Sequence, residues 1–256
     1  MKTKILIPVL LLILIDHGLN AQVLDQRLII GVSFGVGLPQ QNFGKSDTIG
    51  RKDTSKLKGW ATTGINFNLK AGWRLKKHMG VMAQAAGNVN WFNTTAYLNQ
   101  NFNYPVLQGS VVVNATSHYI GSYLAGPFFN FPIGKLFTAE GHIMAGLMTV
   151  SYSSVDPIIN FDGSTYQYTD VYKAAYAFGY DVGAALKYNL IDQIGFTVSA
   201  DYLGGNPTMT GYSISYTGPS TGLPPGTPPV SSGSARKSVM STGIININAG
   251  AVFTFF

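Results

Sequence analysis

The sequence predicts an all-β protein, an eight-stranded antiparallel up-and-down transmembrane β-barrel that follows a cleaved N-terminal signal peptide. Three observations carry this. Hydropathy alternates with period two through eight segments, as it does where successive side chains of a strand point to opposite faces. The connections between those segments alternate short and long. Charged residues make up only 11% of the 256, against about 25% in an ordinary soluble domain.

Composition narrows the function classes. Hydrophobic residues are 46% and aromatics 12%, which argues against disorder. The missing charge is replaced by Gly, Asn, Ser and Thr, which argues against a soluble enzyme with a solvated surface. The formal charge of +6 falls to +5 once residues 1–21, with Lys2, Lys4 and Asp16, are set aside. There is no cysteine, which excludes disulfides, thiolate metal sites, a cysteine nucleophile and a lipid-modified N-terminal cysteine.

Lys2 and Lys4 precede an apolar run of eleven residues, 5–15. That run is shorter than the ~20 residues a membrane-spanning helix needs. Gly18, Asn20 and Ala21 then fit a cleavage site before Gln22. The alternative, a buried N-terminal helix, does not explain this order of charge, apolar run and small residues. The chain therefore divides into a signal, residues 1–21, and a barrel domain, residues 22–256.

The segments follow in order. In 28–38, Ile30, Val32, Phe34, Val36 and Leu38 oppose Gly31, Ser33, Gly35 and Gly37. In 60–73, Ala61, Ile65, Phe67, Leu69 and Trp73 oppose Gly64, Asn66, Asn68 and Lys70. In 80–92, Val81, Ala83, Ala85, Val89 and Trp91 oppose Gln84, Asn88 and Asn90. The fourth segment, 118–131, is the least regular: Tyr123, Ala125, Phe129 and Phe131 share one face, but Leu124 and Phe128 take the other, and Pro127 removes a ladder donor. In 136–152, Phe137, Ile143 and Leu147 oppose Glu140, His142 and Met144. In 173–188, Tyr176, Phe178, Tyr180, Val182 and Leu186 oppose Asp181 and Lys187. In 194–203, Phe196, Val198 and Tyr202 oppose Thr197, Ser199 and Asp201. In 243–256, Ile245, Ile247, Phe253 and Phe255 oppose Asn246, Asn248 and Thr254.

Connections after the second, fourth and sixth segments are short, at 74–79, 132–135 and 189–193. Those after the first, third, fifth and seventh are long, at 39–59, 93–117, 153–172 and 204–241. A transmembrane barrel has short periplasmic turns and long outer loops. A soluble sandwich also alternates, but it turns its apolar face inward and a charged face to water. Here the apolar faces carry no charge, and the other faces are rich in Gly, Asn, Ser and Thr, which suits a lipid-facing exterior and a packed polar interior. Aromatics fall at both ends of the band. Trp73 and Tyr188 lie near the short turns; Trp60, Trp91, Tyr119, Tyr152 and Tyr202 lie near the long loops. Girdles of this kind flank the apolar band of such barrels.

With the signal, the eight segments and the ending Phe253-Thr254-Phe255-Phe256, the chain resembles the small outer-membrane β-barrel family, of the OmpA-like transmembrane domain type found in Gram-negative bacteria. The resemblance implies an outer-membrane location. It also implies that Phe253, Phe255 and Phe256 act as the signal read by the barrel-assembly machinery. The lipid-facing row here ends at Phe255 rather than at the last residue, so either a bulge corrects the parity or Phe256 faces the lumen rim. The chain ends at the last strand, without an appended wall-binding domain.

The predicted lumen row contains Lys70, Glu140, His142, Asp181, Lys187 and Asp201. Glu140 is the only glutamate, and its segment neighbours that of Lys187, so the two are expected to pair. Buried charge is costly unless paired, so this row reads as an ion-pair plug; glycines on the same faces leave room for the alternative, a narrow path for protons or small solutes. An enzyme would need a nucleophile and base at the membrane edge. Ser117-His118 is the candidate, but adjacent strand residues point apart, and no catalytic residue is assigned. The three mature histidines, His78, His118 and His142, are too far apart in sequence to suggest a metal site, and no cofactor is expected.

The first long loop carries Lys45, Arg51, Lys52, Lys56 and Lys58 against Asp47 and Asp53, a cluster suited to lipopolysaccharide phosphates. It lacks the size and aromatic interleaving of a nucleic-acid site. In the fourth, residues 212–216 alternate and read as a hairpin extension above the membrane, while 217–238 is a Pro, Gly and Ser run. Asn93-Thr94-Thr95 and Asn114-Ala115-Thr116 match glycosylation sequons by chance. The expected function is a non-enzymatic envelope barrel that presents its loops to lipopolysaccharide or an unidentified partner; a narrow pore stands second, and a lipid-modifying enzyme third.

Overall fold

The computed structural model describes residues 28–45, 59–102, 110–134, 136–161, 164–191, 193–209, 212–217 and 238–255. The signal, Arg51, Lys52, Lys56, Lys58, Phe256 and nearly all of the proline-rich run lie outside the described residues.

Eight long strands close into a barrel. They are β1 (Leu28–Gln40), β2 (Ala61–Lys76), β3 (Met79–Phe92), β5 (His118–Ile133), β6 (Phe137–Ser151), β9 (Ala175–Ile191), β10 (Ile194–Gly205) and β14 (Thr242–Phe255). Each pairs antiparallel with its neighbours in sequence order, and β14 closes on β1 from Leu28↔Phe255 to Gln40↔Gly243. Closure leaves no strand edge in the barrel, which is what a sheet in hydrocarbon requires. The β1–β14 register runs unbroken to Phe255, so no bulge resets the parity of the aromatic terminus up to that residue.

The polarity of the barrel is inverted relative to a soluble one. Phe34, Ile65, Phe67, Tyr123, Ile143, Phe178 and Phe196 are exposed, whereas Asn66, Asn68, Asn88, Asp181, Asn246 and Asn248 are buried. The irregular fourth segment has a physical reason. Leu124 and Phe128 are buried in the lumen, where they pack with Met82, Ile120, Met144 and Met148. One wall of the lumen is therefore apolar, so the segment's two faces look alike. Pro127 is tolerated because the β5–β6 bridges resume in register on either side of it, at Ala125↔Ala145 and Phe128↔His142.

The outer loops are more ordered than their composition predicts. β4 (Val111–Ala115) in the second loop, β7 (Val155–Phe161) and β8 (Ser164–Tyr172) in the third, and β12 (Tyr212–Thr217) in the fourth form a four-stranded sheet in the order β12-β8-β7-β4. The 212–216 segment is thus a strand, but it pairs with the third loop rather than extending its own hairpin. A second short pairing, β11 (Thr208–Met209) with β13 (Ser238–Val239), continues the last barrel hairpin. A small second core, Phe102, Ile159 and Tyr166 with Tyr97 and Val111, ties the sheet to the helix Thr94–Asn101. Asn93, in the first sequon, is that helix's N-cap, its side chain accepting from Ala96 N at 2.9 Å.

Candidate functional site

The lumen is the natural place to look for chemistry, because the strands bring its scarce charges together there. Their alternation points Lys70, Glu140, His142, Asp181, Lys187 and Asp201 inward, and all but Lys70 are buried. Two groups result. On β6 and β9, Lys187 Nζ donates to Glu140 Oε2. Farther along, His142 Nε2 lies 2.8 Å from Asp181 Oδ1 and 3.2 Å from Asp201 Oδ1, and Lys70 Nζ lies 3.1 Å from the same Asp201 oxygen. Ser199 Oγ and Asn248 Nδ2 donate to Asp201 Oδ2 at 2.8 and 3.1 Å. Asp201 is therefore the hub that joins β2, β6, β10 and β14.

Gly183 makes this cluster possible. A Cβ there would stand 2.2 Å from Asp201 Oδ1 and 2.7 Å from His142 Nε2, so only glycine lets the imidazole and carboxylate meet over the β9 backbone.

The fold also creates a proximity that sequence spacing hides. Ligand atoms of His142, Asp181 and Asp201 lie within 4.8 Å of one another. Only one of the three mature histidines takes part, and Lys70 already supplies a cation to Asp201. Nor is the cluster a hydrolytic triad. The Ser199 hydroxyl donates to the carboxylate instead of to the imidazole that would have to deprotonate it.

The outer mouth is sealed differently. A short helix, Gln41–Gly44, drops Phe43 into the barrel, where it is fully buried. Its ring meets His118 edge-on at 5.2 Å between centroids, and Phe92 and Tyr152 complete the ring of contacts around that histidine. His118 Nδ1 accepts from Ser153 N at 3.1 Å. His118 is thus a packed core histidine, turned away from the membrane edge where a lipid-modifying base would stand.

Trp60 does not belong to the aromatic girdle. It is buried, adopts a left-handed backbone with φ of 47°, and packs on Phe92 and Tyr97. This costly conformation for a bulky residue is held by Trp60 N donating to Lys45 O and Asn93 N donating to Trp60 O. Its indole reaches Gln100 Oε1 at 3.4 Å. Tyr152 is likewise buried, with its hydroxyl beside Thr242. The girdle comprises Trp73 and Tyr188 at the turn end and Trp91 and Tyr119 at the loop end, all exposed. Tyr202 is half-buried, its hydroxyl accepting from Gln41 Nε2. Strand parity, which finds the lumen charges, holds no information about Phe43, Trp60 or Tyr152, which enter the mouth from loops.

The eight strands thus form a closed barrel with apolar residues outward, polar residues inward and short turns at one end only. This is the architecture of a membrane-spanning β-barrel.

Solved barrels of similar form include Neisserial surface protein A (10% identity over 89% of this chain and 97% of that one, TM-score 0.46). OprG from Pseudomonas aeruginosa is another (12%, 90% and 96%, 0.43), as is the outer membrane protease OmpT from Escherichia coli (11%, 92% and 99%, 0.41). At these identities the likeness is one of fold. No family model and no curated protein matches the sequence.

Proposed function

We propose that this outer-membrane barrel is a closed, non-enzymatic envelope protein whose working surface is the sheet built by its outer loops. The observation that carries this reading is the double seal of the lumen, by the charged cluster on one level and by Phe43 at the mouth. Buried charges that are paired and hydrogen-bonded hold a unique arrangement, and removing either partner leaves the other stranded. Above the seal, β4 and β12 are the outer strands of a protruding sheet, and Val112 on β4 is exposed. Strand edges that carry no partner strand among the described residues are suited to recognising an extended segment of a partner protein. Lys45, exposed at the loop end of β1, is suited to lipopolysaccharide phosphates, and the Phe253 and Phe255 end to recognition during barrel assembly.

The test is single-channel conductance of the folded protein in a planar bilayer, with heat-modifiable gel migration as proof of folding. Silence is expected. Steady, reproducible openings overturn the closed-barrel reading.

One feature favours the second reading, a narrow path for small solutes. A vestibule of about 270 Å³ at the turn end, lined in part by Arg74, Lys77 and Asn130, shares Ile29, Lys187 and Val252 with a lumen cavity of about 30 Å³. The smaller space has room for about one water. If this is a conduction path, Lys187→Met alters the conductance.

A further inference from the structure

The outer wall of the barrel holds a slot that no side chain among the described residues fills. Four register pairs align one lipid-facing row across five strands: Phe34↔Phe67, Phe67↔Gly87, Gly87↔Gly121 and Gly121↔Thr149. Two neighbours in this row are glycines. The next row toward the loops carries Val89 opposite Tyr119, and the next toward the turns carries Ala85 opposite Tyr123. The glycine pair is thus bordered toward the loops by Val89 and Tyr119, with Phe67 and Thr149 at its ends. The resulting groove measures about 650 Å³ and includes Phe34, Ile65 and Phe67 in its lining.

Glycines in β-sheets are often covered by a neighbouring aromatic ring. Gly87 is not: a Cβ built there meets nothing within 4 Å. At Gly121 the nearest atom is Thr149 Oγ1, at 2.8 Å, which marks that end of the slot. The floor is thus bare backbone in the middle of an apolar belt.

Water does not fill such a space inside the hydrocarbon layer, and an empty one forfeits dispersion contacts along its whole lining. The available filler is a lipid chain. Gly87 and Gly121 also lie nearer the loop ends of their strands, Phe92 and His118, than the turn ends. The slot is consequently in the outer leaflet, beneath the Trp91 and Tyr119 girdle.

A cation stands on the same side. Lys45 follows the Gln41–Gly44 helix, and its carbonyl accepts from Trp60 N at the loop end of β2 at 3.3 Å. It is exposed at the loop end of the β1–β2 pair, and a basic side chain on that side of the membrane attracts a phosphorylated headgroup.

We infer that the β2–β3–β5–β6 wall is a binding site for one lipopolysaccharide molecule, with an acyl chain laid over Gly87 and Gly121 and a headgroup phosphate near Lys45. This rests on the loop-outward orientation and on the Lys45 reading given above. It does not depend on whether the lumen conducts.

The test is native mass spectrometry of the detergent-solubilised full chain, titrated with lipid A and, separately, with phosphatidylethanolamine. One lipid A is expected to be retained, in preference to the phospholipid. Gly87→Leu places a side chain in the slot without a collision at Cβ and is expected to weaken lipid A retention about tenfold; Ala145→Leu, lipid-facing but outside the slot, leaves it unchanged. Lys45→Gln gives a smaller loss for lipid A and none for the phospholipid. Heat-modifiable migration confirms that each variant has folded. Undiminished retention by folded Gly87→Leu, or equal retention of the two lipids by the unaltered protein, overturns the inference. Conductance measured on the same preparations separates its failure from failure of the closed-barrel reading.

Discussion

The lumen is blocked twice, and the two blocks are built on opposite principles. Toward the turns and through the middle, the block is ionic, and each of its members sits on a barrel strand. At the mouth it is aromatic: Phe43, Trp60 and Tyr152 come from loops and meet Phe92 and His118 at the strand ends. The ionic block is part of the wall, so breaking it strains the barrel itself. The aromatic block is a stopper on a tether, so it can leave without unfolding what it stops. Stability and permeability should therefore respond to different substitutions.

The largest effect is expected at the ionic block. Glu140→Gln leaves Lys187 unpaired in the lumen, at a cost of about 3–5 kcal/mol. The double variant with Lys187→Met should recover most of that loss. Urea-induced unfolding in lipid vesicles measures both, and equal destabilisation by single and double variants would show that the pair is not coupled.

Gly183→Ala should come close to this, because the added methyl lies on the Asp201 and His142 atoms. A distinguishing sign is that it is not rescued by replacing Glu140 and Lys187, which belong to the other group.

Phe43→Ala should be milder in the same unfolding assay, because a four-residue helix opens locally rather than with the whole barrel. In a planar bilayer it should remain silent, since the ionic block persists. Combined with Glu140→Gln and Lys187→Met it should still be silent, because the Asp201-centred group remains. Conductance of Phe43→Ala alone would make the mouth the only gate.

The smallest effect is spectroscopic. Of the three tryptophans, Trp73 and Trp91 are exposed and Trp60 is buried. Brominated lipid chains should quench a variant retaining only Trp91 and spare one retaining only Trp60.

The contrast also explains what was legible in the sequence. Strand parity alone aims Glu140 and Lys187 at the lumen, and adjacency of their segments brings them together; that much follows from a period of two. Asp201 as a hub is harder to foresee, because its partners come from β2, β6, β10 and β14 and depend on stagger between non-consecutive strands. Gly183 reads only as a small residue on a polar face until the atoms above it are placed. The mouth residues are illegible for a different reason. Trp60 occupies the girdle position in a linear count, but a left-handed turn of the backbone swings it inward, and no periodic pattern records a single dihedral angle. The loop sheet was missed similarly: β12 alternates visibly, yet its partner β8 lies in another loop.

The closing pair of the barrel has a bearing on how the molecule is made. Every seam but one joins barrel strands that follow each other along the chain; the last joins β1 to β14, with Leu28 against Phe255. Hairpins can zip as they emerge, because their loop-closure entropy is modest. The final seam must wait until every other barrel strand has arrived, and its contacts span the greatest sequence separation in the barrel, the kind that slows folding most. Until then the growing sheet has two live margins in a medium that offers them no hydrogen bonds. Synthesis order and insertion order are thereby coupled, and the aromatic residues at the end of β14 sit on the strand whose arrival ends that exposure.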